Sequence, residues 1–207
     1  DSGLPNMDLY AKARNDQKDE ITFLLTWRPW DLTGIIEDGS YISRYKQFIN
    51  LVSESTFYDD KKINIILHPK AKIILKEQFP EFYEENNILF YSGDIKDALL
   101  RTKVLISDYS SVVYFGFSGG SNIVFYWEDK ERAEQEYGSP NILQKEIAFG
   151  DIAYDFAEID GLIQKNYTIP QPDDYKNIYD QLVEYKEGDN TEKAYQYIYS
   201  NILSISN

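Results

Sequence analysis

Short apolar runs of strand length, separated from one another by helix-like stretches, are the feature of this sequence that most restricts its fold. Five such runs lie at 21–27, 63–68, 88–91, 103–108 and 122–127. Continuous apolar runs without polar alternation are typical of parallel strands that are buried on both faces. Strands that alternate with helices predict an α/β fold with a doubly wound, Rossmann-like parallel sheet.

The connecting stretches carry helical patterns and helix breakers. After a polar loop at 31–40, apolar residues fall at helical spacing through 40–55. Further helices are predicted at 69–83 with a break near Pro80, at 94–101 with Ser92 or Asp94 as the N-cap, and at 110–116. Beyond the fifth run, the sequence predicts a helix that ends at Gly138, a mixture of loop and short strand at 139–154, a helix at 155–166, and two C-terminal helices within 173–205.

The length of the chain suits one domain. With 207 residues, we predict a single nucleotide-binding domain over 1–207. Within it we expect an opening linker at 1–20, an α/β core at 21–170 and C-terminal helices at 171–207. The chain starts with a loop-like segment and without methionine, so we expect a domain excised from a longer chain rather than a processed or tagged one.

Composition removes several classes of function. The chain has no cysteine and a single histidine, His68, which excludes thiol chemistry and any site that needs two histidines. Its net charge of −14 argues against nucleic acid as a partner. Residues 128–207 hold 17 acidic and 7 basic side chains, so we expect an anionic ligand to bind the earlier part. The acidity of the last 80 residues is otherwise explained by solubility.

Polar side chains follow the predicted strands, where ligands bind in open parallel sheets. Arginine, lysine, imidazole and hydroxyl groups at a helix start are together suited to a diphosphate, and a carboxylate is suited to ribose hydroxyls. We therefore predict substrate contacts from Arg28, His68, Lys70, Asp108, Ser110, Ser111 and Asp129. We predict no metal ligands.

Each candidate also has a structural interpretation that the sequence leaves open. The serine pair fits a helix cap, Asp108 could order its turn, Lys70 could lie on a solvated helix face, and Arg28 could form an ordinary surface ion pair. The glycines near 116–120 match neither the dinucleotide nor the P-loop pattern.

Five segments in order resemble the C-terminal half of the CDP-glycerol glycerophosphotransferases, the teichoic acid primases and polymerases with a GT-B fold. The segments are GLPNMD (3–8), LTWR (25–28), HP (68–69), LISDYSS (105–111) and FYWED (125–129), and the stretch 185–198 is similar to the family's tail. Departures from the family pattern at Leu25, 120–122 and Lys193 loosen the choice of donor between CDP-glycerol, CDP-ribitol and related nucleotides.

The resemblance implies transfer of glycerol phosphate, or a related alditol phosphate, from a CDP-alditol donor to an acceptor hydroxyl. The expected acceptor is a polymer or a lipid-linked molecule, in teichoic acid or capsule-type polymer synthesis. It implies that acceptor contacts, membrane association and a catalytic histidine belong to an N-terminal half, so that the whole protein works at the inner face of the membrane. His68 is then a phosphate ligand in preference to a catalytic base. No cofactor is required, although the diphosphate could carry Mg²⁺. The alternatives are a GT-B glycosyltransferase that uses a nucleotide sugar, and a nucleotide-binding module without turnover.

Overall fold

The computed structural model describes residues 3–31 and 40–205, so most of the loop predicted at 31–40 lies outside the described residues. One sheet contains five parallel strands in the order β2-β1-β3-β4-β5. These strands are β1 (Glu20–Leu24), β2 (Ile63–Ile66), β3 (Thr102–Ser107), β4 (Asn122–Tyr126) and β5 (Asp151–Ala153). The order reverses between β1 and β3, which is where doubly wound sheets bind their ligands.

The prediction of a strand at 88–91 is wrong. This segment makes a single bridge, between Phe90 and Ile65 of β2. Only Phe90 is buried, and Ile88 is 88% exposed, so the run has too few inward side chains to hold a full strand. The fifth strand is instead β5, which lies inside the stretch that was predicted as a mixture of loop and short strand.

The helices largely follow the predicted pattern. The described chain forms α1 (Met7–Lys12), α2 (Tyr41–Glu54), α3 (Pro69–Gln78), α4 (Pro80–Glu85), α5 (Ile95–Arg101), α6 (Val112–Ser118), α7 (Lys130–Tyr137), α8 (Ile159–Thr168), α9 (Asp173–Leu182) and α10 (Asn190–Ile205). The break at Pro80 is present, and the Asp94 side chain caps α5 by accepting from the Lys96 N–H at 2.9 Å. Gly138 ends α7 with a left-handed backbone, φ 71°, as glycine readily does.

Helices cover both faces of the sheet. On one face, α2, α3, α4 and α8 pack against alternate strand residues such as Phe23 and Ile65. On the other face, α1, α5, α6 and α9 pack against the intervening residues, including Leu105 and Phe125. The strands are therefore buried on both sides, which is why their sequences read as continuous apolar runs.

The opening segment, predicted as a linker, is folded onto the domain. Met7 and Tyr10 of α1 are buried in the hydrophobic core on the face of the sheet that contains Leu105 and Phe125. Asp8 is 5% exposed, and its carboxylate accepts from the backbone N–H groups of Asn190 at 2.8 Å and Thr191 at 2.7 Å. A side chain from near the start of the chain thus caps α10.

Candidate functional site

A buried ion-pair cluster lies at the carboxyl ends of β1, β3 and β4. Arg28 follows β1 and is only 1% exposed. Its Nη2 donates to Asp108 Oδ2 at 2.7 Å, and its Nε donates to Asp129 Oδ2 at 3.0 Å. The Asp108 carboxylate also accepts from the backbone N–H of Thr26 at 2.9 Å. The guanidinium of Arg28 thereby joins the ends of three strands. The space outside these carboxyl ends, where open parallel sheets bind ligands, is called the crevice below.

The charges within this cluster offset one another. Burial lowers the pKa of Arg28, but the carboxylates of Asp108 and Asp129 outweigh it and the pKa is raised. Burial raises the pKa of Asp129, but Arg28 and Arg44 outweigh it and the pKa is lowered. Burial, and then the charge of Asp129, raises the pKa of Tyr109, which donates to Asp129 Oδ1 at 2.9 Å. Arg28 and Asp129 therefore both keep their charges at neutral pH.

The expectation for Arg28 was an open fork directed at a phosphate group. Its N–H groups are instead directed to Asp108, Asp129 and the carbonyl oxygen of Thr26. Asp129, expected to contact ribose, has an 11% exposed side chain, and both of its oxygens accept from Arg28. The sequence placed these residues at the correct edge, but their pairing depends on the order of the strands in space.

Sequence reasoning missed Arg44, and Glu128 is not among the predicted site residues. Arg44 lies on α2, its side chain is 4% exposed, and its Nε donates to Glu128 Oε2 at 3.0 Å. Its Nη1 is 3.4 Å from Asp129 Oδ2 but has no hydrogen-bond partner. Arg44 is spaced one turn from Tyr41 and Phe48, so an arginine on a buried stripe was the available signal.

His68 lies beside this cluster, because β2 neighbours β1 in the sheet. The backbone N–H of Lys70 donates to His68 Nδ1 at 3.3 Å, so the imidazole caps α3. Burial, followed by the charge of Lys70, lowers the pKa of His68. The ring stacks on Trp27 with centroids 5.1 Å apart. A neutral imidazole with Nδ1 as acceptor carries its proton on Nε2, which leaves Nε2 as a donor.

The serine pair follows Asp108 and precedes α6. Ser111 is exposed and makes no side-chain cap bond, although it occupies the N-cap position. Ser110 Oγ accepts from the Val112 N–H at 3.4 Å, a long contact. The serines are therefore at most weak helix caps. Lys70, by contrast, is an exposed residue of the first turn of α3, as the solvated-face interpretation anticipated.

Three pockets open near the cluster and the residues that flank it. One of about 680 Å³ is lined by Glu128 and Asp129, among others. A second of about 420 Å³ is lined by Thr26 and Tyr109, among others. A third of about 480 Å³ includes Ser111 in a largely apolar lining. All three volumes fall in the range of small-molecule sites, about 300–1,000 Å³. Arg28, Asp108 and Asp129 thus form one cluster, while His68 and the serines flank it.

Comparison with known proteins identifies the family. A sequence profile described as CDP-glycerol:poly(glycerophosphate) glycerophosphotransferase matches residues 1–200. The chain belongs to this glycerophosphotransferase family. A teichoic acid poly(glycerol phosphate) polymerase from Bacillus spizizenii is 25% identical over 212 residues, covering 94% of this chain and 51% of that polymerase.

Solved structures show the same fold. The wall teichoic acid polymerase TagF covers 100% of this glycerophosphotransferase-family chain with a TM-score of 0.66 and 16% identity. A TagF variant soaked with CDPG gives a TM-score of 0.65 and 18% identity. The chain covers 52% and 53% of those two structures, so it spans about half the length of the relatives it matches.

Two further observations concern metals and membranes. Within residues 3–31 and 40–205, no group of three or more His, Asp or Glu side chains is arranged to hold a metal ion. In that same part of this family member, no helix is both long enough and apolar enough to cross a bilayer.

Proposed function

We propose that this chain binds a CDP-alditol, with CDP-glycerol as the first candidate, and supports transfer of its glycerol phosphate to an acceptor hydroxyl in teichoic acid-type synthesis. One observation carries the proposal: the segments around Arg28, His68 and 108–111 converge at the carboxyl ends of the strands, where the strand order reverses between β1 and β3. The chain that forms this sheet belongs to the glycerophosphotransferase family. The proposed working place of the whole protein is the inner membrane surface, where it lies peripherally.

The charge of the cluster decides which residues meet the donor diphosphate. Two arginines face three carboxylates, Asp108, Asp129 and Glu128, so the cluster does not attract an anion. The phosphate contacts fall instead to the Nε2 donor of His68 and to the hydroxyls of Ser110 and Ser111. Hydrogen bonds from such donors to a charged phosphate are stronger than bonds between neutral groups.

The buried cluster has a positioning role in this scheme. Arg28 and Asp108 hold the turn that carries the serines against the end of β1. Among the carboxylates, Glu128 is better placed than Asp129 for ribose hydroxyls, because its side chain is 34% exposed against 11%. Lys70 adds a mobile positive charge near the entrance of the crevice.

The proposed reaction forms a bond between the acceptor oxygen and the β-phosphorus and breaks the bond from that phosphorus to the bridging oxygen, releasing CMP. The proton of the acceptor hydroxyl must pass to a base as the new bond forms, and we assign no residue of this chain to that role. The chain contributes orientation of the donor and stabilisation of charge on the phosphoryl oxygens.

Calorimetric titration tests this proposal. CDP-glycerol, CDP-ribitol, UDP-glucose and CMP are titrated into the chain, each with and without Mg²⁺. We expect a CDP-alditol to bind more tightly than CMP and much more tightly than UDP-glucose. Preference for UDP-glucose would instead support the second candidate, a nucleotide-sugar glycosyltransferase, which the partly exposed Glu128 favours. Binding of none of the four compounds would contradict the proposal.

A further inference from the structure

A basic pocket of about 290 Å³ lies at the amino ends of the strands, on the opposite end of the sheet from the crevice. Its lining includes four cations, one acidic residue and a glycine: Arg14, Lys18, Lys103, Lys176, Asp16 and Gly120. Lys18 precedes β1, Lys103 is the second residue of β3, and Gly120 precedes β4. Strands of five or six residues rise about 3.3 Å per residue, which separates this pocket from the crevice by roughly 15 Å.

Neutral oxygen atoms hold the three inner cations of this pocket. Lys18 Nζ donates to two backbone carbonyl oxygens at 2.7 and 3.1 Å, and Lys103 Nζ donates to one at 2.8 Å. Arg14 Nη2 donates to the amide oxygen of Gln171 at 3.3 Å, and Gln171 is itself buried. In the part of the chain that the structure describes, none of the three cations forms an ion pair with a carboxylate.

This arrangement leaves positive charge and hydrogen-bond donors available. An ammonium has three donors and a guanidinium five, so each of the three side chains keeps at least one donor. Burial lowers the pKa of Lys18 and outweighs the opposite effect of Asp16, and burial also lowers the pKa of Lys103. A bound anion would offset the remaining cost. The backbone at Gly120 has φ 98°, and a Cβ there would lie 2.5 Å from the Arg14 carbonyl oxygen. Glycine therefore permits the close approach that shapes the pocket.

We propose that this basic pocket binds a phosphate group, at a site distinct from the donor crevice. In a chain of net charge −14, these three anchored cations outnumber Asp16, the acidic residue of the lining, and form a local centre of positive charge. The oxyanion could come from free phosphate or from a phosphodiester of a poly(glycerol phosphate) chain. The second source rests on the proposed function, whereas the first does not.

Amide chemical shifts of the unmodified chain test the proposal. Inorganic phosphate and a short glycerophosphodiester oligomer are titrated separately in a phosphate-free buffer. We expect saturable shifts at the backbone amides of Lys18, Lys103 and Gly120 with at least one of them. Tighter binding of the oligomer would identify the polymer as the source, and tighter binding of phosphate the free anion. Absence of saturable shifts with both compounds would overturn the proposal.

A double variant, Arg14→Gln with Lys103→Gln, should weaken the binding at least about tenfold, since two charge-assisted hydrogen bonds are lost. Lys46→Gln, at an exposed position of α2, is the matched control and should leave it unchanged. Equal affinity in the double variant would refute the assignment. A parallel titration with CDP-glycerol keeps the two sites apart, because its shifts are expected near Ser110 and test the proposed function alone.

Discussion

Replacing Arg28 by methionine removes a cation that joins the ends of three strands. The change keeps much of the side-chain volume but leaves Asp108 and Asp129 without their arginine inside the protein. Removing one partner of a buried ion pair costs about 3–5 kcal/mol. Here the loss should be about 3 kcal/mol, because Arg44 still lies 3.4 Å from Asp129 and Thr26 still donates to Asp108.

Urea denaturation at pH 7 measures this loss. With a slope of about 3 kcal/mol per molar urea for a chain of this size, the midpoint should fall by roughly 1 M. The matched control is Arg132→Met, which removes a half-exposed arginine 3.4 Å from Asp31. Arg132 is half-exposed, and Asp31 still accepts from the Tyr41 N–H at 3.1 Å when the arginine is removed. Loss of such a partly exposed pair costs at most about 1 kcal/mol, so the control should shift the midpoint by only a few tenths of a molar. Equal small losses in both variants would refute the structural role of Arg28.

The pH dependence of this difference follows from the lowered pKa of Asp129 in the folded protein. A carboxylate with a lowered pKa stabilises the fold above its unfolded pKa, and this contribution is lost as the pH falls through the folded value. Arg28→Met removes a main cause of the lowering. The difference in unfolding free energy between the two proteins should therefore be largest near neutral pH and shrink as the pH falls below about 4.

Three other perturbations have defined outcomes. Saturation with CDP-glycerol should raise the pKa of His68, so the affinity should be highest below the free-state pKa and decline as the pH rises through the bound-state pKa. His68→Gln should flatten this pH profile. An unshifted imidazole pKa in an NMR titration would exclude a phosphate contact. Ser110→Ala with Ser111→Ala should weaken CDP-glycerol binding in calorimetry by up to about 1.5–3 kcal/mol per hydroxyl while sparing cytidine, and equal weakening of both would indicate a folding defect. Asp8→Ala should cost about 1 kcal/mol and speed hydrogen exchange in the first turn of α10, and unchanged exchange there would show that the cap is unimportant.

Sequence patterning was sufficient for the parts of the fold where each strand is buried on both faces. β1, β2, β3 and β4 have continuous apolar runs that are almost fully buried, and all four were predicted. The wrong strand and the least defined strand both lie at the sides of the sheet. The sequence indicated a short strand within 139–154 but not its bounds, because only Ala153 of the three residues of β5 is buried. The run at 88–91 has the composition of a strand without a complete set of partners. Local composition cannot distinguish an edge strand from a loop that makes a single bridge.

The sequence was sufficient to predict that the candidate residues lie at the carboxyl ends of the strands, but not which of them contact one another. The fold brings Arg28, Asp108 and Asp129 together because β1, β3 and β4 are neighbours, a fact of topology that residue spacing does not contain. Whether an arginine faces a ligand or a carboxylate depends on that neighbourhood. Arg44 was overlooked because a helical pattern was scored for its apolar residues and not for a charge among them.

The bridge between Phe90 and β2 has a consequence for association between molecules. β2 is an edge strand, and edge strands expose backbone groups to pairing with another chain. Here the Ile65 N–H donates to the Leu89 carbonyl oxygen at 2.8 Å, and the Tyr91 N–H donates to the Ile65 carbonyl oxygen at 2.8 Å. The outward groups in the middle of the edge are thus already bonded. The segment 88–91, which is too irregular to form a strand, therefore protects β2 from pairing with a strand of another molecule.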